Sequence, residues 1–221
     1  MSGFLKATLK KGTVDVTSAH DAVLKTLVYR KENNFNRPDV LNAIETAPCR
    51  SFWPYAFADN APDGSPVELC RLSRLSVSNI LSNFPEDEVV HFFGLWCEHT
   101  MRLYGNSVRE DAPTTGSYHV YDCRDVSWMT LLSDVRSHWS SVSRVVREGQ
   151  ENWPGISSRY FVIFAPRTVH YLWKIVSPLV NEHTKTKVSF SKGLPPELVQ
   201  ALGGEEAVKC MLECSPHTMP S

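Results

Sequence analysis

Residues 159 to 165 read Arg-Tyr-Phe-Val-Ile-Phe-Ala, a short run of almost unbroken apolar character closed by Pro154-Gly155 before it and Pro166 after it. A strand with one wet face alternates. A run that does not alternate suits a strand covered on both faces, as in a parallel sheet. Lys187 to Phe190 reads as the next strand, about twenty residues on, which is the interval a strand–helix–strand crossover needs. An α/β fold with a mostly parallel sheet is the class this predicts.

The connecting segment predicts a helix from Arg167 to His183. Val169, Leu172, Trp173, Val176 and Val180 recur at i, i+3, i+4, i+7 and i+11, and Tyr171, Ile175 and Leu179 form a second apolar row beside them. At about 100° per residue the two rows sweep about 200°, with His170, Lys174, Ser177 and Asn181 on the remainder. A surface helix needs only about 100° of apolar face. The surplus must therefore meet protein, membrane or an apolar ligand, and a helix sunk between two layers would absorb it equally well. Pro178 removes a backbone donor and is expected to bend the helix.

Before this segment, residues 4 to 34 read as helix with a break at Gly12, and Thr17 or Ser18 is a candidate cap. Residues 36 to 66 read as a linker that packs Phe52, Trp53, Tyr55 and Phe57 against the main body. Asp63-Gly64-Ser65-Pro66 is a turn into a strand from Val67 to Leu72. Pro85-Glu86-Asp87-Glu88 starts a helix, with Val89, Phe92, Phe93, Trp96 and Leu103 on its core face up to Gly105. Residues 106 to 116 are a polar loop. Ser117 to Val126 alternates as a strand, with Ser117, His119 and Tyr121 on one face and Tyr118, Val120 and Asp122 on the other. A single long helix is expected from Trp128 to Asn152, burying Met129, Leu132, Val135, Trp139, Val142 and Val146. After Phe190 a turn leads to a short helix, Glu197 to Leu202, ended by Gly203-Gly204, and residues 210 to 221 read as a frayed tail.

The stretch from Glu151 to Phe190 resembles the core of Sec14-like (CRAL-TRIO) lipid-binding domains. In that family a Q-N-Y/F-P-E segment enters a strand ending in N-A-P, a lid helix closes near K-P-F/L-L/V, and T-x-x-K-I/V opens the next strand. Asn152-Trp153-Pro154, Ala165-Pro166, Ser177-Pro178-Leu179-Val180 and Thr184-Lys185-Thr186-Lys187-Val188 stand in those places, in order and at the right spacing over about forty residues. Phe4-Leu5-Lys6-Ala7, Asp15-Val16, Ala19, Leu27 and Tyr29-Arg30-Lys31 are similar to the end of the small helical region before the fold, interrupted around Lys10-Lys11-Gly12. The resemblance implies a remnant of that region over 1–37, clipped of its earlier helices, and the lipid-binding domain over 50–215. It implies a sheet flooring a hydrophobic pocket closed by a mobile helix, with Tyr121, Tyr171, Leu172, Trp173, Ile175, Val176 and Leu179 as lining or gate. It implies a headgroup site at Ser117, His119 and Lys187. His119 replaces a small hydroxyl residue of the family's phosphatidylinositol-transfer members, and Gly155 stands where they carry a glutamate. The guest expected is a phospholipid, of phosphatidylinositol or phosphatidylcholine type, or another hydrophobic small molecule.

Composition fits that expectation. A net charge of −1 argues against broad nucleic-acid binding, which needs a basic surface. No apolar run approaches the length of a membrane span, and the first residues lack the apolar core of a signal peptide. Contact with membranes is expected to be transient and peripheral, the location cytoplasmic, and the chain a monomer. Cys49, Cys70, Cys97, Cys123, Cys210 and Cys214 show neither C-x-x-C pairing nor zinc spacing, so free thiols in a reducing compartment are expected. Hydrolase, P-loop, dinucleotide-binding and zinc-protease motifs are absent. His119 and Asp122 face opposite sides of one strand. No catalysis, metal or redox cofactor is expected. The functions that compete are lipid binding with transfer between membranes and a non-transferring module that docks a protein partner or membrane; an enzyme acting at a membrane surface is a third, weaker reading.

Overall fold

The computed structural model describes residues 9–10, 13–14, 16–107 and 116–213. Five strands form one sheet in the order β1 (Tyr55–Ala58), β2 (Val67–Arg71), β3 (Ser117–Asp122), β4 (Ser157–Ile163) and β5 (Val188–Phe190). The first pair is antiparallel and the other three are parallel. The Arg159–Ala165 run lies in β4 and its continuation, with parallel neighbours on both sides. β1 falls in the segment expected to be a linker. Its four residues are too few to show alternation, and only pairing with β2 through the loop around Gly64 makes it a strand.

The helices are α1 (Val16–Glu32), α2 (Val40–Thr46), α3 (Val77–Asn83), α4 (Glu86–Ser107), α5 (Trp128–Ser137), α6 (Trp139–Asn152), α7 (Val169–Val176), α8 (Glu182–Lys185), α9 (Pro196–Leu202) and α10 (Glu205–Glu213). Several differ from expectation. Leu9–Lys10 pairs antiparallel with Thr13–Val14, where the sequence predicts helix, and Thr17 and Ser18 lie in the first turn of α1. Thr13, Val14 and Val16 are β-branched, which weakens helix there. The helix expected over 128–152 is two, broken at His138. Met129 is 78% exposed instead of buried, and Leu131 and Val135 carry the inner face of α5. The expected frayed tail is helical through Glu213, anchored by the buried Val208 and Met211. The polar residues 108–115 and the tail from Cys214 lie outside the described residues.

Alternation in the strands splits the core in two. On one face Val67, Leu69, Val120, Phe161 and Ile163 meet Leu198, Leu202, Val208 and Met211 of α9 and α10. The other face looks toward α4, α6 and the segment after β4. Close approach on this side depends on small residues. A Cβ at Gly94 of α4 would lie 2.2 Å from the Phe35 ring, and one at Gly149 of α6 would lie 3.0 Å from Phe93. Glu98, with only 4% of its side chain exposed, takes Arg30 and Arg102, and Arg102 also donates to the Phe35 and Pro38 carbonyls. These contacts fix α1 and the following turn onto α4. Cys49, Cys70, Cys97 and Cys123 are buried free thiols and Cys210 is an exposed one.

Candidate functional site: a cavity over the sheet

A cavity of about 390 Å3 opens between the second sheet face and the helices above it. That is within the usual range of ligand clefts, about 300–1,000 Å3. Two rows of the sheet form its floor. Glu68, His119, Tyr160 and Val188 are register neighbours across four strands. Two residues further along, Cys70, Tyr121, Val162 and Phe190 repeat the register, and the last three line the cavity. Phe93, Trp96, Cys97 and Thr100 of α4 and Val145, Val146, Gly149 and Gln150 of α6 supply the far wall.

The remaining wall is the segment after β4. It is not the single helix expected over 167–183. α7 ends at Val176, a 3-10 turn covers Ser177–Leu179, and α8 follows from Glu182. Pro178, lacking an N–H, sits in the tighter turn where the α-helix stops. The two apolar rows part company. Val169, Leu172, Trp173, Val176 and Val180 all line the cavity. Tyr171, Ile175 and Leu179 do not line it: Tyr171 is 61% exposed, with Lys174 over its ring, and Ile175 and Leu179 are half-buried. The rows lie on different sides of the helix, so one wall cannot use both. Trp173 and His170 both rest against Phe190 of β5.

One end of the floor is polar. His119 Nε2 lies 2.8 Å from Ser117 Oγ and 2.5 Å from Ser157 Oγ, and the Tyr160 hydroxyl donates to Ser157 Oγ at 2.8 Å. His119 Nδ1 is 3.4 Å from Glu68 Oε2. Glu68, 2% exposed, also accepts from Trp96 Nε1 at 2.9 Å and from Thr100 Oγ1 at 2.6 Å. Burial alone would raise the Glu68 carboxyl, but the charge of His119 and the hydrogen bonds from His119, Thr100 and Trp96 hold it below the usual carboxylate range. Burial pushes the Tyr160 hydroxyl up to about 12. Lys187 Nζ donates to the Ser157 carbonyl at 2.6 Å.

His119, Lys187, Tyr121, Leu172, Trp173 and Val176 thus meet at one cavity. Ser117 stands behind it, fully buried, its hydroxyl shared between His119 and the Ile156 carbonyl. The sequence reading did not single out Glu68, Ser157, Tyr160 or Gln150. A lone carboxylate in the apolar strand Val67-Glu68-Leu69-Cys70 was the available signal for the first. Ser157, His119 and Glu68 share the connectivity of a hydrolase triad. Yet Ser157 is the buried first residue of β4, where its hydroxyl also accepts from Tyr160, and not on the exposed, strained turn that presents a nucleophile. Asp122 pairs with Arg124 instead of His119. Among the described residues, no group of three His, Cys, Asp or Glu side chains is placed to hold a metal.

Comparison with known proteins decides the family. The CRAL/TRIO domain profile matches residues 57–206, well over half of the chain. The chain belongs to the CRAL-TRIO family. CRAL-TRIO domains bind lipophilic ligands and are generally not catalytic. Two similar proteins are both called Protein real-time. The one from Anopheles gambiae is 24% identical over 199 residues, covering 90% of this chain and 28% of its own. The one from Aedes aegypti is 22% identical over 186 residues, covering 84% and 28%. A CRAL-TRIO domain-containing protein of Caenorhabditis elegans is 21% identical over 201 residues, covering 88% and 27%. The chain therefore spans under a third of the length of these relatives. The crystal structure of Sfh5 superposes with a TM-score of 0.66 over 93% of this CRAL-TRIO chain and 70% of its own, at 15% identity. That likeness concerns the Sec14-like fold alone.

Proposed function

We propose that this CRAL-TRIO domain holds a phospholipid in the cavity over its sheet and exchanges it with membranes. The observation that carries the reading is the cavity itself: a largely apolar chamber with one polar end, walled by a segment that is neither buried nor continuous helix. A two-chain lipid exposes about thirty methylenes in water at about 0.8 kcal/mol each, so leaving a bilayer costs on the order of 20 kcal/mol unless nearly all that surface is hidden. A chamber of about 390 Å3 is smaller than two acyl chains, so the segment after β4 would move outward to enclose both. His119 and Lys187 stand where a headgroup would meet hydrogen-bonding partners, with Ser117 holding His119 from behind. The outward row Tyr171, Ile175 and Leu179 would meet the bilayer while α7 swings aside, which fits transient, peripheral contact. Among the described residues no helix is long and apolar enough to cross a membrane.

Lipid extraction and native mass spectrometry of the purified protein test this. One co-purifying phospholipid per chain is the expected result, and protein that stays empty in the presence of phosphatidylcholine and phosphatidylinositol vesicles would remove the reading. A second reading, a docking module without exchange, is favoured by one observation. Glu68, His119, Ser117, Ser157 and Tyr160 already satisfy one another, so no guest is demanded by an unpaired group among them. Empty protein that retains a partner or vesicle surface would support that second reading.

A further inference from the structure

The wall of the cavity is secured unequally at its two ends. At the start, Val169 is buried at 4% exposure, and the Ala165 N–H donates to the Ser191 carbonyl at 2.8 Å. From His170 to Lys187, before β5 joins the sheet, no residue is fully buried, the signature of a segment that opens at low cost. Near its far end two hydrogen bonds reach it from α6, and both belong to one side chain. Gln150 Nε2 donates to the Leu179 carbonyl at 2.5 Å, and Gln150 Oε1 accepts from the Asn181 N–H at 2.7 Å.

These two backbone groups flank Val180, which is extended at φ −93° and ψ 130°. In extended chain the carbonyl before a residue and the N–H after it point the same way, and a parallel neighbouring strand satisfies both at once. The planar amide of Gln150 imitates that neighbour. Pro178 and the Asn181 side chain, which caps α8 through the Thr184 N–H at 2.8 Å, hold the chain in the shape the amide grips. Val180 and Gln150 both line the cavity, so the grip sits on its rim.

We propose that Gln150 is the latch of this wall, a positioning residue that sets how often the cavity opens. The inference rests on the lipid-exchange reading for its purpose, but the grip itself is a property of the empty protein. An amide is the side chain required, because it presents one donor and one acceptor side by side. A carboxylate offers two acceptors, and its negative charge set against the Leu179 carbonyl drives the side chain out of the grip, so the Asn181 bond is lost as well. Protonated, the same carboxyl has a donor and an acceptor again and restores the pair.

That asymmetry gives the test. Hydrogen exchange at the Asn181 amide is measured, as protection relative to the intrinsic rate, in wild type, Gln150→Met and Gln150→Glu between pH 8 and pH 4.5. Release of pyrene-labelled phosphatidylcholine to phosphatidylcholine vesicles is measured in parallel. Gln150→Met should lower protection and speed release about tenfold at every pH, the order expected for one to two half-exposed hydrogen bonds. Gln150→Glu should do so at pH 8 and return toward wild type at pH 4.5. Unchanged protection in both variants, or a Gln150→Glu effect that ignores pH, overturns the latch. Lost protection with unaltered release also overturns it, leaving Gln150 as a tie that does not govern opening. Wild type that takes up no labelled lipid, whatever its Asn181 protection, fails the exchange reading instead.

Discussion

The two faces of the sheet are made from the same strands and do opposite things. Along the solid face, Leu69, Val120 and Phe161 are register neighbours, all at most 3% exposed, beneath the aliphatic side chains of α9 and α10. One residue earlier on each strand, Glu68, His119 and Tyr160 are neighbours on the hollow face. Burial there is achieved by hydrogen bonds among polar groups and by rings around open space. Close packing of small aliphatics excludes any guest. A face of aromatic and hydrogen-bonding side chains, roofed by a weakly held segment, leaves room for one.

The largest effect belongs to the solid face. Phe161→Ala should cost about 3–5 kcal/mol, read as a lower midpoint in urea, because no neighbour can collapse into the gap. A loss under about 1 kcal/mol would mean the face is not solid. Next, Trp173→Asp places a charge in the cavity wall from a half-buried position, so lipid loading should fall at least about a hundredfold, roughly 3 kcal/mol, while stability falls much less. Normal loading would show that α7 is not a wall. Glu68→Gln should cost about 1–3 kcal/mol at pH 7. Since the Glu68 carboxyl is held below its ordinary value of 4.5, its contribution is present above that value and is lost as the pH falls through the depressed one. The variant should therefore lose part of the wild-type acid sensitivity below about pH 4.5, and unfolding curves of equal slope would remove Glu68 from the balance.

The β4 strand and its parallel crossover to β5 were legible because an unbroken apolar run between turn residues reports burial on both sides. The inner row of α7 was legible for the same reason: Val169, Leu172, Trp173, Val176 and Val180 keep helical spacing, and the row holds through the 3-10 turn. What the spacing could not say is where the helix ends, since Pro178 permits a bend, a tighter turn or a stop. β1 was hidden because Tyr55–Ala58 is a strand only through β2. Glu68 and Gln150 were hidden because their partners, His119 and the Leu179–Asn181 backbone, are brought to them by the fold. A polar residue declares its role through what faces it, and that is tertiary information.

Lys187 offers the smallest and most discriminating comparison, since it stands at the boundary between the polar floor and the wall formed after β4. Its ammonium donates to the Ser157 carbonyl from a half-buried position, so Lys187→Ala removes a charge-assisted hydrogen bond and, after solvent screening, about 1 kcal/mol of stability. If the headgroup lies at this end of the floor, the variant should weaken uptake of phosphatidylinositol about fivefold, near 1 kcal/mol. Phosphatidylcholine, whose own ammonium offsets its phosphate, should lose less in the same vesicle assay. Equal losses for both lipids would assign Lys187 to the sheet: it would then brace the β4–β5 edge through Ser157, and the choice of headgroup would pass to His119 and the hydroxyls around it.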